Sequence, residues 1–388
     1  MTTSAPVPAL DRDLIARLRF DVIAASWTTD TLETLLSDGA LSALMRDSRL
    51  PALVELAGVT EPAATLTRFF VLGQPERASA LDATLPTLGA AGLETLGLAA
   101  TIDEAEATSA LVVTRGCGKF APKREDAQAG EGASSPKTST LPAMRDPDEE
   151  VPAPEAEPDP WMRALYDLRP HAATLPGGDR DWWVTSDPGE MRTGKPLADD
   201  HVMGVGGATR TLLGMTVRES VDSALDLGCG CGIQALYLAT HARRVVATDL
   251  SARACALTQF NAALNEAVID VREGSLFEPV AGEAFDLIVS NPPFVITPDS
   301  VRGAAGLFEY RDGGMDRDNL VRAVLREAPT CLAPGGTLQM LANWEIPASR
   351  NPDTQWSERI DAWLEDLPVD AWVVQRDVLD PARYVDMW

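Results

Sequence analysis

Two short runs carry residue types that can do chemistry. The first is Asp226-Leu-Gly228-Cys-Gly230-Cys-Gly232. It follows an apolar run and opens a helical pattern, the setting in which a glycine-rich loop cradles a ligand. Glycines let the backbone approach a ligand closely and adopt φ angles closed to other residues. Asp249 ends the next apolar run, where a carboxylate takes both ribose hydroxyls of a nucleoside cofactor. A bare strand-to-helix turn explains the glycines but not the acid. Dinucleotide-binding loops read G-x-G-x-x-G. Here the third glycine comes one position early, and an acid stands two residues before the first. The second run is Ser290-Asn291-Pro292-Pro293-Phe294. An amide or aryl-amine nitrogen is a poor nucleophile because its lone pair is delocalised. The Asn291 side-chain oxygen and the Pro292 carbonyl are two acceptors for its N–H groups, and together they draw the nitrogen toward tetrahedral geometry. The prolines fix that carbonyl's direction and remove competing donors. Phe294 can stack on a planar target group. A proline-stiffened strand exit is the plainer reading of the same run.

A metal centre is not expected. Cys229 and Cys231 are spaced C-x-C but lie inside the glycine loop, and no second cysteine pair follows. His171, His201 and His241 are widely separated. The run His201-Val-Met-Gly-Val-Gly-Gly207 is placed either to cover the cofactor or simply to lead into a helix.

These runs need a frame, and from about Leu197 strand and helix patterns alternate. Strands are expected at Ser223–Leu227, Arg244–Asp249, Ile269–Arg272, Phe285–Ser290, Thr337–Ala342 and Ala371–Gln375. Helices are expected at Ile233–Ala242, after the cap Ser251, at Leu320–Leu332 and at Trp356–Leu364, with a helix-like Ala382–Trp388 at the end. Strict alternation implies a parallel sheet covered on both faces. From Leu10 to Thr108 the spacing is helical: Leu14, Leu18 and Val22 recur, Thr31 is a candidate N-cap, and Pro62 suits a first helical turn. Ser109–Thr114 reads as a strand. A small helical bundle ending in strands is compatible with a winged helix, and equally with a packing or dimerising domain. Residues 116–160 lose all periodicity and end in Pro152-Ala-Pro-Glu-Ala-Glu-Pro-Asp-Pro160. Such a tract buries too little apolar surface to stay ordered. Strand-like residues flank it, at Leu111–Thr114 and Met162–Leu168, and Asp181–Ser186 is another strand.

The glycine loop, Asp249 and Ser290–Phe294, at the ends of strands of one sheet, resemble the class I S-adenosylmethionine-dependent methyltransferases. More narrowly, they are similar to the small-domain N-methyltransferases with an Asn-Pro-Pro-(Tyr/Phe) motif. The resemblance covers residues 200–388. It implies an α/β fold with a Rossmann-like class I methyltransferase sheet and S-adenosyl-L-methionine as cofactor. By that resemblance Gly228, Gly230 and Gly232 line its methionine and ribose, Asp226 faces its amino group and Asp249 holds the ribose hydroxyls. Ser275 and Leu276 lie against adenine, although many relatives carry Asp where Ser275 stands. Asn291, Pro292, Pro293 and Phe294 form the catalytic loop. The layout expected is a helical domain at 1–115, an insertion at 116–160, a strand-containing connection at 161–199 and the methyltransferase domain at 200–388. The implied fold has seven strands and only six can be placed. The chain is therefore expected to lack the last one and to be shorter than the natural unit, with strands five and six unbridged.

Features within the family diverge on the acceptor. Asp312-Gly-Gly314 and Leu332-Ala-Pro-Gly-Gly336 resemble release-factor glutamine methyltransferases. Asn291–Phe294 with Leu341-Ala-Asn-Trp344 resembles the rRNA guanine-N2 enzymes. The expected partner is thus a macromolecule, offering a protein glutamine or an RNA base. A net charge of −25, from 58 acids against 33 bases, disfavours broad non-specific nucleic-acid binding and tilts toward protein. No apolar run approaches the ~18 residues that suggest a membrane helix, and no signal peptide is visible. Five cysteines in 388 residues do not make a disulfide scaffold, so the expected compartment is the cytoplasm. Nothing in the sequence sets the oligomeric state. Two other classes fit part of the pattern. One is an NAD-dependent oxidoreductase, for which the glycine spacing is wrong. The other is a non-catalytic cofactor-binding interaction protein, against which an intact Asn291 and Phe294 speak.

Overall fold

The computed structural model describes residues 5–46, 48–115, 159–175, 177–296, 317–346 and 354–387. The tract expected to be disordered therefore lies outside the described residues up to 158, and so does Asp312-Gly-Gly314. At the tract's end, Asp159 accepts hydrogen bonds from the backbone and hydroxyl of Ser79, and the Pro160 carbonyl accepts from Ala78 N.

The N-terminal region is built from short helices: α1 Arg12–Ala24, α2 Thr29–Leu35, α3 Asp38–Leu44, α4 Leu50–Glu55, α5 Pro62–Leu66, α6 Ala78–Thr84, α7 Gly89–Thr95 and α8 Glu104–Arg115. Caps set their starts. Asp11 accepts from Asp13 N and Leu14 N, and Pro62 opens α5. The cap of α2 is Thr28, not Thr31, because its hydroxyl accepts from Thr31 N. The expected strand Ser109–Thr114 is instead part of α8. Asp103 accepts from Glu106 N, and Glu104 and Glu106 fill the first turn, where acids favour a helix. Three short strands, β1 Glu76–Arg77, β2 Ala99–Ile102 and β3 Trp161–Ala164, form an antiparallel sheet in the order β1-β3-β2. A hairpin follows, β4 Asp167–Ala173 with β5 Arg180–Ser186. Helices α9 Glu190–Thr193 and α10 Gly207–Met215 then lead to the main sheet.

That sheet contains β6 Val221–Leu227, β7 Ala242–Asp249, β8 Asp270–Glu273, β9 Phe285–Ser290 and β10 Leu332–Met340. All four pairings are parallel, in the order β10-β9-β6-β7-β8. The crossovers carry α11 Ile233–Leu238, α12 Ala252–Leu264 and α13 Asn319–Glu327, and α14 Glu358–Leu364 and α15 Pro381–Met387 follow. Every strand runs the same way, so every carboxyl end opens on one edge, where α/β folds bind ligands.

The helix expected at Ile233–Ala242 stops at Leu238, and β7 already begins at Ala242, ahead of the expected Arg244. Other limits differ as well. Helix α13 stops at Glu327, and a tight turn carries Ala328–Thr330 through Pro329, which cannot donate to the helix ladder. β10 begins at Leu332, is interrupted by the bulge at Pro334-Gly335-Gly336 and pairs regularly from Thr337. Ala371–Gln375 is not a strand. It makes no ladder with β10 among the described residues, and Trp372 is 93% exposed. It lines one cleft together with the free edge of β10, and the two remain unbridged.

One apolar core joins the N-terminal helices to the main sheet's helices. Leu18, Val22, Trp27, Phe69 and Phe70 share it with Trp183, Ile233, Leu236, Leu257 and Phe260. The polar part of this junction is made by two amides, Asn261 of α12 and Asn265 at its C-terminal cap. Asn265 accepts from Trp183 N and donates to Trp183 O, and Asn261 does the same with Thr185. They occupy the free edge of β5 as a strand would, and Asn261 also donates to Cys231 O of the glycine loop at 2.8 Å.

Candidate cofactor and acceptor site

The middle of the sheet brings both motifs together. β6 lies between β7 and β9, with Leu227 opposite both Thr248 and Ser290. The glycine loop, Asp249 and Asn291 therefore leave three adjacent strands at one level. The buried Ser290 hydroxyl donates to Leu227 O at 2.7 Å, locking the start of the acceptor loop to the last turn of β6.

The glycine loop folds on a few bonds. Gly228 N and Cys229 N both donate to Thr248 O, and Gly232 N donates to Cys229 O. Gly228, Gly230 and Gly232 have φ of +76°, +55° and +78°, the left-handed region that favours glycine. At Gly232 the close neighbour is protein, since a Cβ would sit 2.8 Å from the Thr258 methyl. At Gly228 and Gly230 a Cβ would meet nothing within 4 Å, so the loop turns a bare backbone face to open space. The Thr258 hydroxyl donates to Gly230 O at 2.9 Å and braces the loop from α12.

The two carboxylates flank this loop. Asp226 is 1% exposed and accepts from Ala235 N in the first turn of α11. Burial pushes its carboxyl up to about 7, helped by the nearby Asp249 charge and opposed by the Ala235 N–H. Asp249 uses one oxygen on Gly230 N and the other on Ser251 N, both at 2.9 Å. Burial raises its carboxyl, and those N–H donors hold it back. Each oxygen keeps a lone pair for a further donor. The next turn is close by, because Gly274 N donates to Asp249 O. Ser275 and Leu276 follow, with Leu276 at φ +46° and leaning on the cluster of Phe277, Val280 and Phe285.

The cysteines of the loop are buried thiols. The hydrogen bond with Cys255, and then burial, hold Cys229 well above its ordinary range, and burial pushes Cys231 up to about 11. Both remain protonated at neutral pH. Among the described residues no three His, Cys, Asp or Glu side chains group as metal ligands do.

In the acceptor loop Pro292 is buried and Asn291 half-buried. Asn291 Nδ2 donates to Thr209 Oγ1 at 3.3 Å, while Oδ1 is buried with no partner. Phe294 turns from Asn291 toward the cluster of Val321, Ile360 and Trp363, and with Ile296, Trp344 and Tyr384 it lines an open cleft. Thus the structure groups Asp226, the three glycines, Asp249 and Asn291, places Ser275 and Leu276 one turn away beyond β8, and sets Phe294 apart in the cleft. Sequence reasoning missed Thr209, Thr258, Asn261 and Tyr384, whose hydroxyl accepts from Ile296 N. All four are polar residues in otherwise ordinary element patterns. Ser290 stood next to the motif with no role assigned to it.

The residues fit the cofactor the sequence suggested. An open glycine face, a carboxylate with spare lone pairs at the next strand end and a second, buried carboxylate suit a nucleoside carrying an ammonium group. Two family models match the chain: a "Domain of unknown function (DUF7059)" over residues 24–110 and "Methyltransferase small domain" over residues 203–306. The release factor glutamine methyltransferase of Geobacter sulfurreducens is 41% identical over 142 residues, covering 34% of this chain and 50% of its own. That of Deinococcus radiodurans is 33% identical over 200 residues, 47% of this chain and 68% of its own. Ribosomal RNA small subunit methyltransferase C of Alcanivorax borkumensis is 33% identical over 123 residues, 32% of this chain and 33% of its own. The chain thus spans from a third to two thirds of the length of these relatives. Among the described residues no helix is long and apolar enough to cross a membrane.

Proposed function

The chain belongs to the small-domain class I S-adenosylmethionine-dependent methyltransferases, and from that premise we propose that it methylates a planar amide or exocyclic amine nitrogen on a macromolecule of the translation apparatus. The acceptor is a protein glutamine or an RNA base, and the setting is the cytoplasm. S-adenosyl-L-methionine, when bound, supplies an electrophilic methyl group on a sulfonium. The residues of this chain bind, orient and hold. Asp249 receives the ribose hydroxyls on its remaining lone pairs. Asp226 faces the ammonium group. Gly228 and Gly230 let the backbone close on the methionine part, and Ser275 and Leu276 border the adenine.

At the acceptor, Asn291 Oδ1 and the Pro292 carbonyl take the two N–H bonds of the target nitrogen. That weakens conjugation of its lone pair and aims it at the methyl. Attack on a sulfonium needs alignment more than a strong base, and holding both reactants at fixed strand ends supplies alignment. Phe294 covers the planar group once it turns back from the cleft it lines in the structure.

One observation carries this reading: a buried amide oxygen without a partner, at the end of the strand beside the glycine loop. A buried acceptor left unmade costs about 1–3 kcal/mol, a cost a ligand N–H removes. The test is transfer of tritiated methyl to cell extract, followed by RNase or protease digestion. Label released by protease assigns a protein acceptor and label released by RNase an RNA acceptor. Absence of label in every fraction overturns the proposal.

A further inference from the structure

The geometry points to Thr209 as the positioning residue that holds the Asn291 amide in place at the acceptor site. This rests on the methyl-transfer reading above. A primary amide has a donor end and an acceptor end of nearly equal shape, and rotation by half a turn about its last bond exchanges them. Only one orientation is useful. With Oδ1 toward the target nitrogen the amide accepts its N–H. With the NH2 group there, donor meets donor. In the structure the Thr209 hydroxyl takes Nδ2 at 3.3 Å, and Oδ1 is the buried end left without a partner. A hydroxyl can also donate to Oδ1 of a flipped amide, so what Thr209 fixes is the position and plane of the amide, and the partnerless Oδ1 is the end left for substrate.

Thr209 is itself held between the two motifs. It lies in the first turn of α10, and its carbonyl accepts from Gln234 Nε2 at 3.4 Å. Gln234 is buried at the start of α11, directly after the glycine loop. The far end of α10 is fixed as well: Gln339 of β10 donates to Met215 O and accepts from Val217 N. Along the helix Leu212 packs with Ala235, Leu238, Leu287 and Val289. A helix secured at its start, middle and end is a rigid mount, and rigid mounts suit groups whose placement must hold within a fraction of an ångström.

The test compares Thr209→Val, which keeps the shape and removes the oxygen, with Thr209→Ser, which keeps the hydroxyl. Thr209→Val lowers kcat for methyl transfer by about ten- to a hundredfold, the scale of a misplaced reacting group. The Kd for S-adenosylhomocysteine stays within about twofold, since that ligand does not touch Asn291 on this reading. Thr209→Ser recovers most of the loss. A second readout needs no turnover. The side-chain amide protons of Asn291, identified by their absence in Asn291→Ala, exchange with water at least about tenfold faster in Thr209→Val than in wild type or Thr209→Ser. Wild-type rates of transfer and exchange in Thr209→Val overturn the inference alone. Failure of the wild-type chain to transfer methyl to any fraction overturns the functional reading and this inference with it.

Discussion

Asp226 has its acidity set by burial, and that has consequences in two directions. Its folded value of about 7 lies above the ordinary 3.8. Between those values the folded chain holds a proton that the unfolded chain has released. This group's contribution to stability therefore falls as pH rises through that window. His171 acts oppositely. Burial, with a push from Arg210, lowers it to about 4 from 6.5, so its contribution grows with pH over that range. A comparison of Asp226→Asn with wild type separates the two: melting temperatures of the free proteins measured from pH 5 to pH 8 should diverge, with wild type losing more toward pH 8. Parallel curves would mean that Asp226 is ionised throughout. Cofactor binding shows the mirror image. An ammonium group requires the carboxylate, so calorimetric affinity for S-adenosylhomocysteine should fall about fivefold from pH 7 to pH 6, with proton release, and this slope should vanish in Asp226→Asn. Asp249 and Asn291 should separate cleanly by function. Asp249→Ala weakens that affinity about ten- to a hundredfold through loss of a charge-assisted contact. Asn291→Ala abolishes transfer while leaving affinity nearly intact. Equal loss of both in Asn291→Ala would make it a structural residue.

At the scale of elements, the site depends on side chains that replace backbone pairing. Asn261 satisfies Thr185 N, Thr185 O and Cys231 O at once from the buried face of α12. Asn261→Ala leaves three buried groups unmade at about 1–3 kcal/mol each. Urea denaturation should show a loss of at least about 3 kcal/mol, and a loss under about 1 kcal/mol would show that water fills the gap. None of this was legible beforehand, because a buried Asn on a helix reads like any polar residue until its partner strand is known. What was legible follows from periodicity and punctuation. β9 appeared at its expected limits, Phe285–Ser290, and Ser251 does cap α12 through Ala254 N. Short apolar runs ended by glycine or proline leave little choice of register. The errors share one cause. Leu111–Thr114 and Ala371–Gln375 are β-branched runs whose local preference was read without a partner. In the first a helix start upstream dominates, and the second remains unbridged to β10. The glycine loop, the two carboxylates and Asn291 lie together at adjacent strand ends, and the Thr209 contact was not legible because it spans 82 residues of chain.

For the molecule as a whole, one buried ion pair ties the distant parts of the chain. Arg253, on α12 just past the cofactor edge, pairs with Asp187 after β5, and both are almost wholly buried. Arg253 also donates to the Tyr166 hydroxyl at 2.9 Å and to Ala5 O, while Tyr166 donates to Pro6 O. Asp187 in turn accepts from Val202 N, which anchors the segment leading to α10 and Thr209. The N-terminus, the hairpin, the sheet's helix and the approach to the acceptor loop thus meet at one pair of charges. Removing one partner strands the other in a low-dielectric interior. Asp187→Ala should cost about 3–5 kcal/mol for that reason. The shared apolar core predicts that the loss appears as one transition rather than as separate unfolding of the N-terminal helices. Trp27 and Trp183 are both buried at the junction and their fluorescence reports it. Replacing both partners by apolar residues of similar size, Arg253→Met with Asp187→Leu, removes the stranded charge. It should recover most of the stability lost by Asp187→Ala, within about 1–2 kcal/mol of wild type. The double variant still lacks the acceptor for Val202 N, so methyl transfer should remain depressed after stability returns. Full recovery of transfer in the double variant would mean that the pair serves folding only and leaves the approach to Thr209 untouched.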